Sequence, residues 1–358
     1  MSNLESAKSS RIVLAGGNGV LGRLLARSLA ARGYEITVLT RFPRGGPLSL
    51  PSPRPREASS HNLFWSAGRE WPQAGRGDPS KDTSKNNARS IGWDARTLGP
   101  WRQELEGAAA VINLTGRSVN CRYNAANRRE ILESRVLSTR VLGEAIAGCA
   151  APPPAWLNSS TATIYKHSFD RTMDENGEIA PDHDAKDEFS VEVAQAWEAA
   201  LAAATTPATR KIPLRTSIVF SSETGTIFTI LRRLARLGLG GSMAGGRQFV
   251  AWIHQEDFCH AVEWILEHAE LRGPVNVVSP NPVTNGEMMA IFRKVCGLPI
   301  GLPAARWMLE VGAFVMRTET ELIIKSRRAV PGKLLAAGFL FQYPTFQSAL
   351  EEIERRTT

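Results

Sequence analysis

A cluster of glycines near the start of the sequence has the spacing of a nucleotide-binding turn. Residues 16–22 contain G-x-G-x-x-G at Gly17, Gly19 and Gly22. Glycines let backbone N–H groups approach a pyrophosphate at the positive end of a helix dipole. The alternative is a glycine-rich turn without a ligand. It is the weaker interpretation, because a strand pattern precedes the turn and a helix pattern follows it. The predicted cofactor contacts are Gly16, Gly17, Asn18, Gly19, Val20, Leu21 and Gly22.

The residues after the next apolar run indicate which dinucleotide would bind. NAD-binding domains usually carry an Asp or Glu at this point, where it holds the ribose 2′-hydroxyl. This chain has Thr40 and Arg41 there, with Arg44 close behind and no acidic residue nearby. A guanidinium can bind a 2′-phosphate through paired hydrogen bonds, whereas a carboxylate would repel it. The sequence therefore predicts NADP(H) rather than NAD(H). A solvated loop charge is the alternative role for Arg41.

The elements that position these residues alternate between strands and helices. An apolar run at 11–15 precedes the glycines, leucines at helical spacing follow them, and a second apolar run covers 35–40. This β–turn–α–β order opens a doubly wound sheet. The same alternation returns as predicted strands at 109–115, 156–160, 212–219 and 274–278, and predicted helices at 128–146 and 188–204. The predicted fold class is α/β, a Rossmann doubly wound parallel sheet with a smaller C-terminal α/β substrate lobe.

The predicted domain organisation has a tail, a large domain and a smaller lobe. The tail covers residues 1–10, the NADP-binding Rossmann domain 11–220, and the C-terminal lobe, interleaved with that domain, 221–358. Segment 43–90 interrupts the alternation with seven prolines and many Ser and Arg residues. Because this segment offers little apolar surface to bury, the composition predicts a disordered insertion.

Composition and charge limit the partners. The chain is 43% hydrophobic and 22% charged, which is typical of a globular protein. The net charge is +8, and no basic stripe interleaved with aromatic residues appears, so nucleic-acid binding through segment 43–90 is the weaker hypothesis. Four scattered cysteines without a C-x-x-C pair predict neither a disulfide framework nor a metal site. No membrane span or secretory signal is apparent, so we expect a cytoplasmic protein.

Beyond these features, the sequence resembles the extended short-chain dehydrogenase/reductases of the nucleoside-sugar epimerase type. It is most similar to an atypical NAD-dependent epimerase-like branch that lacks the usual Tyr-x-x-x-Lys pair and has its own C-terminal segment of unknown function. The resemblance covers nearly the whole chain outside residues 1–10 and 43–90. The residues that carry it are Gly16–Gly22, Thr40-Arg41, Trp93-Asp94, Val111–Gly116, Ser134-Arg135, Thr139, Trp197-Glu198, Gly246–Gln248, Trp252–His254, Asp257, Val283–Asn285, Arg328–Pro331 and Ala337–Phe339.

The resemblance implies further cofactor contacts along the sheet. Asp94, after the third strand, would approach the adenine, and the residues after the fourth strand would line the cofactor. Glu130 and Arg135 would face the pocket from the following helix, although an ordinary helix surface is the alternative for both. The contacts predicted in this way are Asp94, Leu114, Thr115, Gly116, Glu130, Arg135 and Val219.

The proton-transfer residues of the superfamily are missing. None of the four tyrosines is followed by a lysine four positions later, and alignment on Trp197-Glu198 puts Ser190 and Ala194 at the Tyr and Lys positions. The resemblance leaves Thr161 as the hydroxyl that would hold the substrate oxygen. The proton would then pass through an unconventional donor, such as Tyr165 or a water. Backbone capping is the alternative for Thr161.

Two other pairs could take part in acid–base chemistry. Lys166 and His167 stand where the branch usually has an aromatic residue and a glycine. They could serve as a substitute acid/base pair, but variation of the loop sequence is the interpretation that we favour. His254 and Asp257 could form a proton relay, but a structural role is the stronger interpretation.

Two functions remain open at this stage. The first is an NADP(H)-dependent oxidoreductase or epimerase that acts on a small polar substrate of unknown identity. The second is a catalytically inactive protein that senses NADP(H) and signals to a partner. Dimers are common in the superfamily, so the resemblance also implies a homodimer as one option.

Overall fold

In the computed structural model, the described residues are 11–43, 88–179, 188–305, 307–309 and 325–357. The strands are β1 (Arg11–Ala15), β2 (Glu35–Thr40), β3 (Ala88–Gly92), β4 (Ala110–Asn113), β5 (Ala155–Thr161), β6 (Arg210–Thr216), β7 (Ile218–Phe220), β8 (Phe249–Val250), β9 (Trp252–His254), β10 (Val275–Val277) and β11 (Val283–Thr284). The helices are α1 (Val20–Ala31), α2 (Ala125–Ala147), α3 (Glu188–Ala203), α4 (Ile227–Leu234), α5 (Gln255–Glu267), α6 (Asn285–Val295), α7 (Gly332–Ala336) and α8 (Phe346–Thr357). Short 3₁₀ helices cover Pro100–Leu105 and Ala162–Ile164, and a π-helical turn covers Ala235–Leu239.

A seven-stranded sheet forms the centre of the molecule. Its order is β3-β2-β1-β4-β5-β6-β10, and every pair of neighbours is parallel. The strand order reverses between β1 and β4, and in such sheets ligands bind in the crevice at the carboxyl ends of the strands at this point. The predicted doubly wound Rossmann sheet is confirmed.

Alternating side chains of the strands fill two cores, one on each face of the sheet. Ile12 and Leu14 of β1 pack in one core with buried residues of α1 and α5, such as Leu25. Val13 packs on the opposite face with α2 residues such as Leu142. Strands buried on both faces read as continuous apolar runs, and this is why the sequence pattern located them.

The predicted insertion 43–90 ends earlier than expected. Its last residues, Ala88–Ser90, form the start of β3 and pair with Ile36–Val38 of β2. The boundary was wrong because β3 is an edge strand of sequence Ala-Arg-Ser-Ile-Gly, which has little apolar character. The rest of the predicted insertion, 44–87, lies outside the described residues.

The strand predicted over 212–219 is divided between two sheets. β6 ends at Thr216 and belongs to the central sheet, whereas β7 begins at Ile218 and pairs with β9. The hydroxyl of Ser217, between them, donates a hydrogen bond to the carbonyl of Ala251. Pro213 is the fourth residue of β6. It is tolerated there because β10 pairs with β6 only from Leu214 onward.

The C-terminal lobe has its own apolar core and also returns to the central sheet. Buried residues of α4, α6 and α8, among them Phe228, Phe292 and Phe346, form this core. Ala329 makes a parallel bridge with Met173, so the segment before α7 joins the loops at the carboxyl ends of the strands. Among the described residues, no helix is both long and apolar enough to cross a membrane.

Candidate cofactor site and substrate cleft

The glycine turn is packed so tightly that Gly16, Gly17 and Gly22 have little room for a side chain. Gly16 has φ +76°, and a Cβ there would lie 3.0 Å from Thr115 after β4. A Cβ on Gly17 would lie 2.8 Å from Val38 Cγ1, and one on Gly22 would lie within 2.6 Å of the Gly17 carbonyl carbon. The turn therefore brings β1, α1, β2 and β4 into contact at the point where the strand order reverses.

The N-terminus of α1 is open toward the crevice. Gly19 is the N-cap residue, it makes no side-chain capping bond, and the first turn contains no acidic residue. A Cβ on Gly19 would meet nothing nearer than the Gly16 carbonyl oxygen at 3.8 Å. The first N–H groups of a helix have no acceptor within that helix, and they lie here at the positive end of the helix dipole beside an open position, an arrangement that fits a pyrophosphate.

The end of β2 presents the residues predicted to select the dinucleotide. Asn18 Nδ2 donates to Thr40 Oγ1 at 2.6 Å, which ties the glycine turn to this strand. Arg41 is exposed, and its guanidinium carbon lies 6.0 Å from the centre of the Phe42 ring. No carboxylate pairs with Arg41 in the described part of the chain, so its charge is available to a ligand.

Asp94 lies after β3 and next to the end of β2. Its side chain is engaged in the turn that follows, because Oδ1 accepts the N–H groups of Arg96 and Thr97 at 2.9 Å each. Oδ2 accepts the Thr97 hydroxyl at 2.6 Å. The hydrogen bonds from Thr97 hold the pKa of Asp94 below its usual value. Asp94 is thus a carboxylate that holds the turn after β3.

The end of β4 contains a buried hydroxyl without a partner. Thr115 Oγ1 is buried and makes no hydrogen bond to the described residues, while the Thr115 N–H donates to Asn113 Oδ1 at 3.0 Å. Buried polar groups are normally paired, so this hydroxyl could bond to a ligand in the crevice. Leu114 and Gly116 flank Thr115, so these three predicted contacts lie together beside Gly16.

The predicted contacts on α2 and β7 differ in their surroundings. Glu130 is exposed and forms an ion pair with Arg117. Arg135 lies against Gly116, where a Cβ would be 3.1 Å from the guanidinium carbon. Val219 is partly buried and packs against the core that contains β1 and α1. Of these three, only Arg135 is placed beside the β4 end of the crevice by a described contact.

Thr161 is the last residue of β5 and lies at the carboxyl edge of the sheet. Its Oγ1 is 3.0 Å from Thr163 Oγ1 and accepts the Thr163 N–H at 3.2 Å. Both threonines are partly exposed. The capping role and a substrate contact are compatible, because a hydroxyl oxygen has two lone pairs and one hydrogen. Thr163 escaped the sequence analysis, although its position two residues after a strand-end Thr was a usable signal.

Tyr165 does not fit the predicted role of proton donor. It is 1% exposed, its hydroxyl donates to Asn276 Oδ1 at 2.7 Å, and it accepts from Arg215 Nη1 at 3.0 Å. Burial raises the pKa of Tyr165 above its usual value. A phenol enclosed in this way is part of the core, and the sequence could not reveal this because its partners are 50 and 111 residues away.

The other acid–base candidates are occupied in the fold. Lys166 pairs with Glu178 at 2.8 Å, and His167 Nδ1 accepts the Ser326 N–H at 2.9 Å. These contacts agree with loop variation. On α3, Ser190 is partly exposed and Ala194 is buried, so neither supplies a Tyr–Lys relay.

His254 and Asp257 are structural. His254 is fully buried, its Nδ1 accepts the Glu256 N–H at 3.2 Å, and its Nε2 lies 2.8 Å from Glu352. Burial lowers the pKa of His254 to about 4. Asp257 accepts the backbone N–H groups of Gln342 and Tyr343. The proton-relay interpretation of this pair is therefore wrong.

Arg327 of the C-terminal segment contacts the loop that follows β5. Arg327 is 8% exposed and donates from Nε to the Thr163 carbonyl at 3.3 Å. Its neighbour Arg328 belongs to the segment whose resemblance was noted, and that was the only available signal. The described part of the chain contains no cluster of His, Cys, Asp or Glu suited to a metal ion.

A parallel sheet with this strand order and a glycine turn at its reversal point defines a Rossmann-type dinucleotide-binding protein. The family model described as "NAD dependent epimerase/dehydratase family" matches residues 12–278, and "Domain of unknown function (DUF1731)" matches residues 304–353. The chain belongs to the NAD-dependent epimerase/dehydratase family.

Individual relatives resemble the chain over nearly its whole length. The epimerase family protein SDR39U1 of Bos taurus is 28% identical, with 96% of this chain and 99% of the relative covered. An epimerase family protein of Mycobacterium bovis is 29% identical, with 95% and 96% covered. The crystal structure of human SDR39U1 (isoform 2) with NADPH has a TM-score of 0.74 and 26% identity, covering 96% of this chain and 99% of that one.

Proposed function

We propose that the protein is an NADP(H)-dependent oxidoreductase or epimerase that acts on a small polar substrate. The observation that carries the proposal is the open N-terminus of α1, which faces the same crevice as the buried, unpaired hydroxyl of Thr115. Membership of the family and the NADPH in the human relative's structure support the choice of cofactor. The substrate and the reaction are left open.

The residues present fit a dinucleotide with an added phosphate. The backbone of Gly17–Gly22 would hold the pyrophosphate, and Arg41 would bind the 2′-phosphate through paired hydrogen bonds. Asp94 would border the adenine, and Thr115 would pair its free hydroxyl with the cofactor. Glu130 is turned to Arg117 and Val219 to the core, so we assign both to the margin of the site.

A bound nicotinamide would accept or donate a hydride at the substrate carbon. The chain's own contribution would be to orient the substrate oxygen by a hydrogen bond with Thr161, whose neighbour Thr163 lies 3.0 Å away. The hydroxyl of Tyr165 is enclosed in the core, so we assign the proton to a water that would bind beside the two threonine hydroxyls.

The second candidate is an NADP(H)-binding regulatory protein without turnover. The burial of Tyr165 and the presence of Ser190 and Ala194 in place of a relay favour it. Steady NADPH oxidation by the purified protein with any member of a carbonyl library would exclude this candidate. An epimerase returns the hydride to its substrate and consumes no NADPH, so the regulatory protein is favoured by bound NADP(H) with neither NADPH oxidation nor epimerisation of matched hydroxyl compounds.

Cofactor choice is tested separately through Arg41. We expect Arg41→Glu to weaken NADPH at least about tenfold more than NADH, since a carboxylate repels the 2′-phosphate that NADH lacks. Arg96→Glu is the matched control, because Arg96 is also exposed but pairs with Glu133 at 3.4 Å. Equal losses for the two cofactors would contradict the assignment, as would an equal effect of the control variant.

A further inference from the structure

Arg135 has an unusual position for an arginine within the fold. Its side chain is held against Gly116 on one side, and its guanidinium carbon lies 5.1 Å from the centre of the Trp197 ring on another. Nη1 donates to the carbonyls of Arg117 at 3.1 Å and Ile131 at 2.9 Å. The guanidinium is therefore fixed in one orientation by the protein itself, before any ligand binds.

The charge of Arg135 has no carboxylate partner in the described part of the chain. The two nearby acids of α2 pair elsewhere, Glu130 with Arg117 and Glu133 with Arg129 at 2.7 Å. Burial lowers the pKa of Arg135 to about 10. Withdrawing a charge from water without an opposite charge costs several kcal/mol, so a guanidinium kept in this state is expected to meet an anion from outside.

The remaining edge of this guanidinium has the right donors for an oxyanion. Nε and Nη2 make no hydrogen bond to the described residues, and the residue is only partly buried. Two parallel N–H groups on one edge match two oxygens of a carboxylate or phosphate. Nη1 is not part of this edge, and it already donates to two backbone carbonyls.

The location of Arg135 separates it from the expected cofactor phosphates. Those phosphates would lie at the start of α1 and the end of β2. Arg135 instead lies over β4 and β5, because its carbonyl accepts the Thr139 hydroxyl at 2.8 Å. The same hydroxyl oxygen is 3.4 Å from Asn113 Nδ2 of β4 and 3.3 Å from Asn158 Oδ1 of β5. β5 ends at Thr161, the predicted substrate contact.

We propose that Arg135 binds an oxyanion group of the substrate, a carboxylate or a phosphate, through its Nε–Nη2 edge. The substrate would then be an anionic carbonyl or hydroxyl compound whose reacting oxygen lies at Thr161. This inference deepens the proposed function and rests on it for the reaction, and it moves Arg135 from the cofactor contacts to the substrate contacts.

The test is calorimetric titration with oxalate and with inorganic phosphate, with and without saturating NADP⁺. The variants are Arg135→Gln, Arg135→Lys and, as control, Arg140→Gln, which removes an exposed positive charge from the same helix. We expect the wild type to bind at least one of the two anions. Arg135→Gln should weaken that anion at least about tenfold, and Arg140→Gln less than about twofold. The preferred anion distinguishes a carboxylate site from a phosphate site.

Affinity for NADPH distinguishes a substrate contact from a cofactor contact. We expect Arg135→Gln to keep the NADPH affinity of the wild type within about twofold. If Arg135→Gln does not fold, Arg135→Lys, which keeps the charge but loses the paired edge, should show the same selective loss of the anion. The proposal is overturned by a wild type that binds neither anion, by equal losses in the control, or by a selective loss of NADPH. Anion binding through Arg135 in a chain that binds no NADPH would refute only the proposed function.

Discussion

Replacement of Gly17 or Gly22 by alanine tests how the cofactor turn is held in shape. A Cβ on Gly17 would lie 2.8 Å from Val38 Cγ1, and one on Gly22 would lie within 2.6 Å of the Gly17 carbonyl carbon. Favourable carbon contacts are about 3.5–4.0 Å long, so each substitution requires a shift of about 1 Å. The two obstacles differ in kind, since Val38 presents a side chain that can be shortened and Gly17 presents backbone.

The expected magnitudes follow from this difference. Overpacking a core costs about 1–3 kcal/mol, and we expect Gly17→Ala to lower the free energy of unfolding by this amount. Gly22→Ala should lower the free energy of unfolding by about 3 kcal/mol or more, because α1 must move away from the turn. Val38→Ala opens space next to Gly17, so it should offset part of the loss in Gly17→Ala, with a coupling of about 0.5–3 kcal/mol. It should not relieve Gly22→Ala.

Urea denaturation of the three single variants and of the two double variants with Val38→Ala measures these energies, and NADPH titration measures the effect on the site. Both glycine substitutions should weaken NADPH at least about tenfold, because the backbone N–H groups of the turn are displaced. Val38→Ala alone reports the cost of the shortened side chain. Wild-type stability and NADPH affinity in Gly17→Ala would refute the reasoning, and so would equal rescue of both glycine variants by Val38→Ala.

Three further predictions concern the core and the cleft. Glu198→Gln should lower the free energy of unfolding by about 3–5 kcal/mol, because it leaves Arg215, 3% exposed, without its ion-pair partner. Glu178→Gln, at an exposed pair, should cost at most about 1 kcal/mol. The lowered pKa of His254, about 4, means that the unfolded chain takes up a proton first as pH falls below about 6.5, so folding stability is lost from there down to pH 4. Urea denaturation should show that the free energy of unfolding has fallen by about 2 kcal/mol at pH 5, and this loss should be absent from His254→Gln. If Thr161 orients the substrate, Thr161→Val should reduce kcat at least about tenfold without changing NADPH affinity, whereas Thr163→Val should change kcat less; equal effects would contradict this role.

The part of the site that sequence predicts well is the part built from neighbouring residues. Gly16–Gly22 follow β1 and open α1 within one short stretch, so the turn could be recognised from spacing alone. Thr40 could be placed for the same reason, because β2 ends with it. The strand order at the crevice then follows from general rules for parallel sheets.

The features that escaped depend on contacts between distant residues. The role of Tyr165 is decided by Arg215 and Asn276, and nothing near Tyr165 in the sequence reveals that they enclose it. The division of the run 212–219 depends on Ala251, which accepts the Ser217 hydroxyl. Periodicity predicts where a strand can form, but it carries no information about the sheet that the strand joins.

The carboxylate of Glu175 binds two segments that are made at different times during synthesis of the chain. One oxygen accepts the N–H of Asn276 in β10 at 2.9 Å, and the other accepts the N–H of Lys333 at the start of α7 at 3.1 Å. During synthesis the nucleotide-binding half leaves the ribosome well before Lys333 does. Until then, Glu175 lacks one partner and Met173 lacks its bridge to Ala329. Contacts of Lys333 and Ala329 therefore complete a part of the fold whose other residues are made much earlier.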